Sequence, residues 1–232
     1  MTFNYVKCDV PNLDRETIDG VRYYKVPDLD TSEVFKLVSV TSVISHHNKE
    51  FFAKWRKRVG EQKANNITRK ATSRGTDFHT LTENHLLNKE FKNGVVQPLS
   101  EYLFLMAKDE LDKIDNIHCL EQSLYSQQLG VAGTVDCIAE YNGELAVIDF
   151  KTSAKPKPRE WIDHYFVQCA AYACMLYELT GITVKKFVIL MSCENGDVEV
   201  YEEYNKGKYI KLLSKYIRDF VEHKLESYGK RS

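Results

Sequence analysis

Two periodicities divide this chain. Two apolar-rich runs, Thr134–Tyr141 and Glu144–Lys151, read as strands, whose period of two puts Ile138, Leu145 and Val147 on one face. Asn142-Gly143 separates the two runs and is a strong two-residue hairpin signal. Helical spacing dominates elsewhere. Phe51, Phe52, Trp55 and Val59 share one face of an amphipathic helix over Lys49–Val59, with Lys54, Lys57 and Arg58 off that face. Two more helices are predicted over Glu61–Ser73 and Thr76–Asn88. Pro98 opens another, with Leu99, Tyr102, Leu103, Met106, Leu111 and Ile114 at helical spacing. Arg159–Leu179 reads as a long helix stopped at Gly181, and Lys206–Ser227 as a closing helix. Strands are predicted at Gly20–Pro27, Val34–Val40, Cys119–Gln128, Val184–Ser192 and Val198–Tyr204, and Thr41 or Ser42 is placed to cap a short helix. His46-His47 reads as an ordinary loop pair. The order is that of an α/β fold with a mixed sheet between helices. A small β-rich lead-in over 1–45 joins the domain of 46–232 as one unit.

The hairpin register concentrates chemistry. With Asn142 and Gly143 as the loop, Tyr141 pairs with Glu144, Asp136 falls opposite Asp149, and Thr134 opposite Lys151. Like charges opposed across a ladder are destabilising, so this placement calls for a cation, and removing either carboxylate would relieve the metal-free protein. Lys151, two residues beyond Asp149, projects from the same strand face. A divalent metal between carboxylates, with an ammonium beside it, suits phosphodiester hydrolysis.

Composition narrows the setting. The chain has 232 residues, 43% of them hydrophobic and 28% charged, and no apolar run of membrane-spanning length. The N-terminus has neither a secretory core nor the Arg/Ser-rich character of a transit peptide. The expected location is therefore the cytoplasm, the host's if the source is viral. Six cysteines at 8, 119, 137, 169, 174 and 193 form no CxxC, which argues for reduced core thiols and against structural zinc or an iron–sulfur cluster. Net charge is −1, yet Lys54–Arg74 carries eight basic residues against the single acid Glu61. Such a stripe suits a phosphate backbone.

Several ordered motifs then coincide: Asp136 with Asp149-Phe150-Lys151, Arg74-Gly-Thr-Asp-Phe-His79 on a preceding helix, Glu121 on the strand before the hairpin, and Gln168-x-x-x-Tyr172 on the following helix. Together they resemble the PD-(D/E)xK nuclease superfamily in its RecB-like exonuclease branch. Ser39-Val-Thr-Ser-Val-Ile44, Trp55-Arg-Lys-Arg58 and Lys151-Thr-Ser-Ala-Lys-Pro-Lys-Pro158 are similar to the mitochondrial genome maintenance exonucleases and their viral and prokaryotic relatives. The likeness spans roughly 38 to 225. Val135 stands where the motif has proline, and the segment with Arg22-Tyr23-Tyr24 is more like the short viral or prokaryotic relatives.

The resemblance implies a restriction-endonuclease-like core with an N-terminal helical extension. It also implies Mg2+ or Mn2+ held by Asp136, Asp149, His79, the Phe150 carbonyl and, with less support, Glu121. Lys151 would position the attacking water or neutralise the pentavalent phosphate. Gln168, Tyr172, Thr152, Arg74, Trp55, Arg56, Lys57 and Arg58 would support the site or touch DNA. The expected enzyme is a monomeric metal-dependent deoxyribonuclease cutting from single-stranded ends or flaps in replication, repair or recombination, beside proteins of those processes. The alternatives are a duplex-resecting exonuclease, a structure-specific endonuclease on the same site, or a silent nucleic-acid-binding module.

Overall fold

The computed structural model describes residues 2–28, 33–90, 92, 94 and 96–229. Three N-terminal strands, β1 (Arg15–Ile18), β2 (Val21–Pro27) and β3 (Val34–Ser39), form an antiparallel meander. Helices α1 (Val40–His47), α2 (Lys49–Val59), α3 (Glu61–Leu86) and α4 (Pro98–Leu111) follow. Strands β4 (Ile114–Ser126), β5 (Val131–Tyr141) and β6 (Glu144–Ser153) then run antiparallel in succession. A 3-10 turn at Arg159–Trp161 leads into α5 (Asp163–Thr180), then β7 (Lys186–Cys193), β8 (Val198–Glu203) and α6 (Lys206–Gly229).

All eight strands join one sheet in the order β1-β2-β3-β5-β6-β7-β8, with β4 on the other edge of β5. The pairings β3–β5 and β6–β7 are parallel, so the sheet is mixed. Strand alternation sends Ile138, Val147, Ile189 and Met191 into a core with α1, α5 and α6. It sends Cys137, Ala139, Ala146, Ile148, Val188 and Leu190 into a second core under α3 and α4. No helix among the described residues is long and apolar enough to cross a membrane. The six cysteines are free thiols, four of them buried and Cys8 and Cys174 half-buried.

Several expectations are corrected. Glu61–Leu86 is one helix that runs through Gly75; a mid-helix glycine costs only about 1 kcal/mol, and packing overrides it. His46 and His47 lie in the last turn of α1, where His47 stacks on Tyr216 at 3.7 Å. Ser39, rather than Thr41 or Ser42, occupies the N-cap of α1, and its hydroxyl is taken up by Thr41 Oγ1 at 2.5 Å. In α4 the buried stripe is Leu103, Phe104, Ala107 and Leu111, while Leu99, Tyr102 and Met106 face out and Ile114 opens β4. That stripe is rotated because Phe104 and Ala107 pack onto α3 and β7. The periodicity of α2 is helical as expected, but no residue of it is buried, and Phe51 and Phe52 are exposed. An apolar stripe buries only where a layer lies beneath it, and the main neighbours of α2 are the helices α1 and α3.

Candidate active site

The site is a fork in the sheet. The β5–β6 ladder runs in the expected register from Tyr141↔Glu144 to Cys137↔Ile148 and stops there. Asp136 and Asp149 therefore do not form a ladder pair, and neither do Thr134 and Lys151. The reason is competition for one edge: β3 occupies the far end of β5 at Val131 and Ala132, so β6 must part from it. Thr134 instead pairs with Ser123 of β4 and bonds the Tyr24 hydroxyl at 3.0 Å. Within the gap, the Phe150 N–H donates to Asp136 Oδ2 at 2.9 Å and ties the two prongs. Below it the Tyr172 ring packs so closely on Gly133 that an added Cβ would lie 2.8 Å from it. A glycine there is a steric requirement.

Three donors meet at this fork. Donor atoms of His79, Glu121 and Asp136 all lie within 4.8 Å of one another. His79 Nδ1 is 3.6 Å from Glu121 Oε1 and 3.8 Å from Asp136 Oδ2. Sequence separation hid the position of Glu121. The β4–β5 register on either side, Leu120↔Cys137 and Gln122↔Val135, sets it across from Asp136. Glu121 has φ 47°, a left-handed conformation rare for a strand residue and of the kind that gathers at functional sites. Burial works against protonation of His79, but the Asp136 and Glu121 carboxylates outweigh it and raise its pKa. Two carboxylates and an imidazole are a donor set for a divalent cation such as Mn2+ or Mg2+.

Asp149 is adjacent and differently placed. It is 3% exposed, and neither carboxylate oxygen has a hydrogen-bond partner of good geometry. Lys151 Nζ lies 2.5 Å from Oδ2. Burial pushes the Asp149 carboxyl up to about 7, reinforced by Asp136 and opposed by Lys151. Burial acts against the Lys151 ammonium too, yet Asp149 and Asp136 outweigh it and keep it charged. Lys151 also stands over the Tyr165 ring, 5.0 Å from its centroid. Lys157 Nζ bonds the Tyr165 hydroxyl at 2.8 Å, and the Tyr201 hydroxyl donates to the Lys157 carbonyl at 2.7 Å. Tyr165 and Lys157 were not among the expected residues. The only signal was their place past Lys151, Lys157 in the basic, proline-stiffened segment and Tyr165 in the first turn of the helix that follows.

The remaining expected residues divide. Arg74 Nε donates to Thr152 Oγ1 at 3.0 Å and its guanidinium pairs with Glu194, so this arginine binds α3 to the end of β6. Gln168 donates to the Tyr172 hydroxyl at 3.2 Å, and Tyr172 is a core residue. Trp55, Arg56, Lys57 and Arg58 lie on α2. Arg56 pairs with Glu61, while Lys57 and Arg58 are exposed. Phe150 meets the cluster through its N–H.

Two predictions arise here. His79→Ala should weaken divalent-metal binding at least tenfold with little change in Tm. His85 bonds Asp112 at 2.7 Å between the Phe3 and Phe104 rings, so His85→Ala should lower stability by roughly 1–3 kcal/mol and leave metal affinity intact. Metal titration and thermal melts of both variants decide the matter, and equal metal losses would mean that the wrong histidine is assigned. His164 is held near pKa 4 by burial, then by Lys157 and Lys151. The unfolded chain takes up that proton near 6.5, so stability should fall as pH drops from about 6.5 to about 4, by up to about 3 kcal/mol. His164→Gln should flatten that limb of a pH–Tm profile, and an unchanged slope would refute the assignment.

The chain is 35% identical over 133 residues to mitochondrial genome maintenance exonuclease 1 of Xenopus tropicalis, covering 53% of this chain and 37% of that protein. It is 31% identical over 170 residues to the Homo sapiens protein of the same name, covering 67% and 46%. The match thus spans less than half the length of either relative. A solved structure from Eubacterium rectale, described as an exonuclease, aligns with a TM-score of 0.49 at 12% identity over 65% of this chain and 66% of that one. Residues 49–223, which carry α2 through α6 and every residue of the fork, match one family description throughout, and the chain belongs to the PD-(D/E)XK nuclease superfamily.

Proposed function

We propose that this chain is a metal-dependent DNA exonuclease that hydrolyses phosphodiester bonds from single-stranded ends or flaps. The observation that carries the reading is the convergence of His79, Glu121 and Asp136 beside the buried Asp149–Lys151 pair. His79, Glu121 and Asp136 would hold the divalent cation, with Asp149 at its margin. The cation, when bound, supplies Lewis-acid stabilisation of the phosphoryl oxygens. Lys151 orients the attacking water and offsets charge developing on the phosphate. Asp149 fixes the Lys151 ammonium, and Tyr165 bounds it on the other side. Arg74 holds Thr152 and β6 against α3, so the lysine strand and the histidine helix keep their spacing.

A preference for single strands is supported by α2. Its exposed Phe51 and Phe52 lie on the same helix as Lys54, Lys57 and Arg58. Aromatic faces for bases and cations for backbone are the means of gripping a single strand without reading sequence. Lys57→Gln with Arg58→Gln should raise KM and flatten the log–log salt dependence by about 0.7 per lost contact. Arg56→Gln should do less, because Glu61 already holds that guanidinium. A salt slope identical to wild type in the double variant would assign the helix to solvent.

Digestion of end-labelled single-stranded, duplex and flap DNA with Mg2+ and with Mn2+ tests the whole reading. Mononucleotides or short oligonucleotides released from single-stranded ends are expected. Cleavage of duplex alone would favour a resecting exonuclease, internal cuts an endonuclease, and no cleavage with either metal a binding module.

A further inference from the structure

Two of the six thiols meet. Cys119 Sγ lies 3.8 Å from Cys8 Sγ, a contact between residues 111 apart in the chain. Cys119 is buried on β4, two residues before Glu121. Cys8 is half-buried in the N-terminal segment that precedes β1. That segment runs as a strap along β4. The Val6 N–H donates to the Ile117 carbonyl at 2.9 Å, and the Ile117 N–H to the Asn4 carbonyl at 2.8 Å. Further on, Gln122 Nε2 donates to the Pro11 carbonyl at 3.2 Å and to Asn12 Oδ1 at 3.0 Å. The sulfur contact falls between these two anchorages. In the sheet β4 pairs with β5, so the strap lies along the strand that supplies Glu121.

The strap is the side that can yield. Cys119 is fixed by its pairing with Ile138 and by the core around Leu124 and Val135. Cys8 sits in irregular chain, where its carbonyl accepts the Val10 N–H at 3.2 Å. A disulfide holds its sulfurs about 2.05 Å apart, so an approach of about 1.8 Å closes this one. Turning the Cys8 side chain from one staggered position to another moves its sulfur farther than that. Bond formation therefore leaves β4 and Glu121 where they are. The more open Cys8 meets a small oxidant first, and the buried Cys119 is in reach to resolve the product.

We propose that Cys8 and Cys119 form a redox-modification site, oxidised by a small-molecule disulfide, whose product staples the strap to β4. The Cys8 sulfur attacks one sulfur of the small disulfide, that S–S bond breaks, and one small thiol leaves. Cys119 then attacks the Cys8 sulfur, the second small thiol leaves, and the Cys8–Cys119 bond forms. The two protein thiols are oxidised, and their hydrogens end on the two released thiols. The test equilibrates the full chain in EDTA with mixtures of reduced and oxidised glutathione, traps free thiols by alkylation, and reads peptide masses and Tm. A Cys8–Cys119 cross-linked peptide should accumulate saturably with glutathione disulfide and disappear with dithiothreitol. Tm should rise with it by about 5 °C or more, as expected of a cross-link that encloses so long a stretch of chain. Cys8→Ser should abolish the cross-linked peptide and the rise, while Cys174→Ser, which removes another half-buried thiol, should keep both. The proposal is overturned by absence of the cross-linked peptide at every ratio, by glutathione that stays on Cys8 unresolved, or by a rise in Tm that is missing or survives Cys8→Ser. None of these readouts involves cleavage, so the reading of the fork as a nuclease stands or falls separately.

Discussion

Asp136→Asn and Asp149→Asn should each reduce single-turnover cleavage by roughly a thousandfold or more, the scale on which loss of a preorganised electrostatic group at a reacting phosphate or carbonyl is felt. Asparagine keeps the shape and removes the charge; because Asp149→Asn also strips Lys151 of its counter-ion, circular dichroism of each variant at the assay temperature separates lost chemistry from lost fold. Activity of either variant within tenfold of wild type would falsify the assignment of the fork as the catalytic centre. The two positions should differ in stability when alanine is used instead. Asp149 is the counter-ion of a lysine whose side chain is 20% exposed. Asp149→Ala leaves that ammonium without its partner and should cost about 3 kcal/mol in metal-free protein, a fall in Tm of about 6–12 °C for a chain of this size. Adding Lys151→Met removes the orphaned charge and should recover most of the loss. Asp136→Ala forfeits only the acceptor for the Phe150 N–H and should cost about 1–2 kcal/mol. The expectation that loss of either carboxylate would relieve strain assumed a facing pair. In the fork, Lys151 already lies against Asp149.

A circular single strand should be degraded at least a hundredfold more slowly than a linear strand of identical sequence. The physical basis is that a single strand is flexible and must be held in line with the cation before hydrolysis can proceed. At the fork, α3 delivers His79 and packs with α4, while α2, against the start of α3, presents exposed aromatics and cations. Strand-tracking contacts of this kind gain from a path entered by an end. The comparison needs both substrates at one nucleotide concentration, with product length read on a gel. Degradation of the circle at the linear rate would remove the requirement for an end and favour an endonuclease, while leaving the metal cluster in place.

How much of this could be read from residues alone follows from which interactions are local. The hairpin was legible because Asn142-Gly143 between two apolar-rich runs fixes its register within a few residues, and the ladder from Tyr141↔Glu144 to Cys137↔Ile148 agrees with it. The C-cap at Gly181 was legible for the same reason, with its left-handed φ of 75°. The fork was not. It arises because β3, far upstream, claims the edge of β5, and no local pattern records that claim. The partnership of Glu121 with Asp136 depends on the β4–β5 register and on one left-handed residue. The exposure of α2 and the rotated face of α4 were not legible because periodicity gives the angle of a stripe and not the layer that will cover it. Tyr165 escaped notice because a tyrosine near a helix start has no pattern of its own until Lys151 and Lys157 are seen on either side of it.

The parallel pairing of Val38 and Ser39 with Val131 and Ala132 has a consequence for how the enzyme comes into being. Closing so long a stretch of chain carries an entropic cost that local hairpins avoid, and such contacts form late. The parallel neighbour of the lysine strand, β7, lies further on still. During synthesis β3 precedes the hairpin, and only β7, the flank on the lysine strand's other side, is still to come when the hairpin emerges. A growing chain would carry the acidic residues and the lysine before β7 braces the lysine strand, and should gain hydrolytic capacity only once β7 has left the ribosome. Pulse-labelled nascent chains stalled before residue 186 should be inert towards single-stranded DNA.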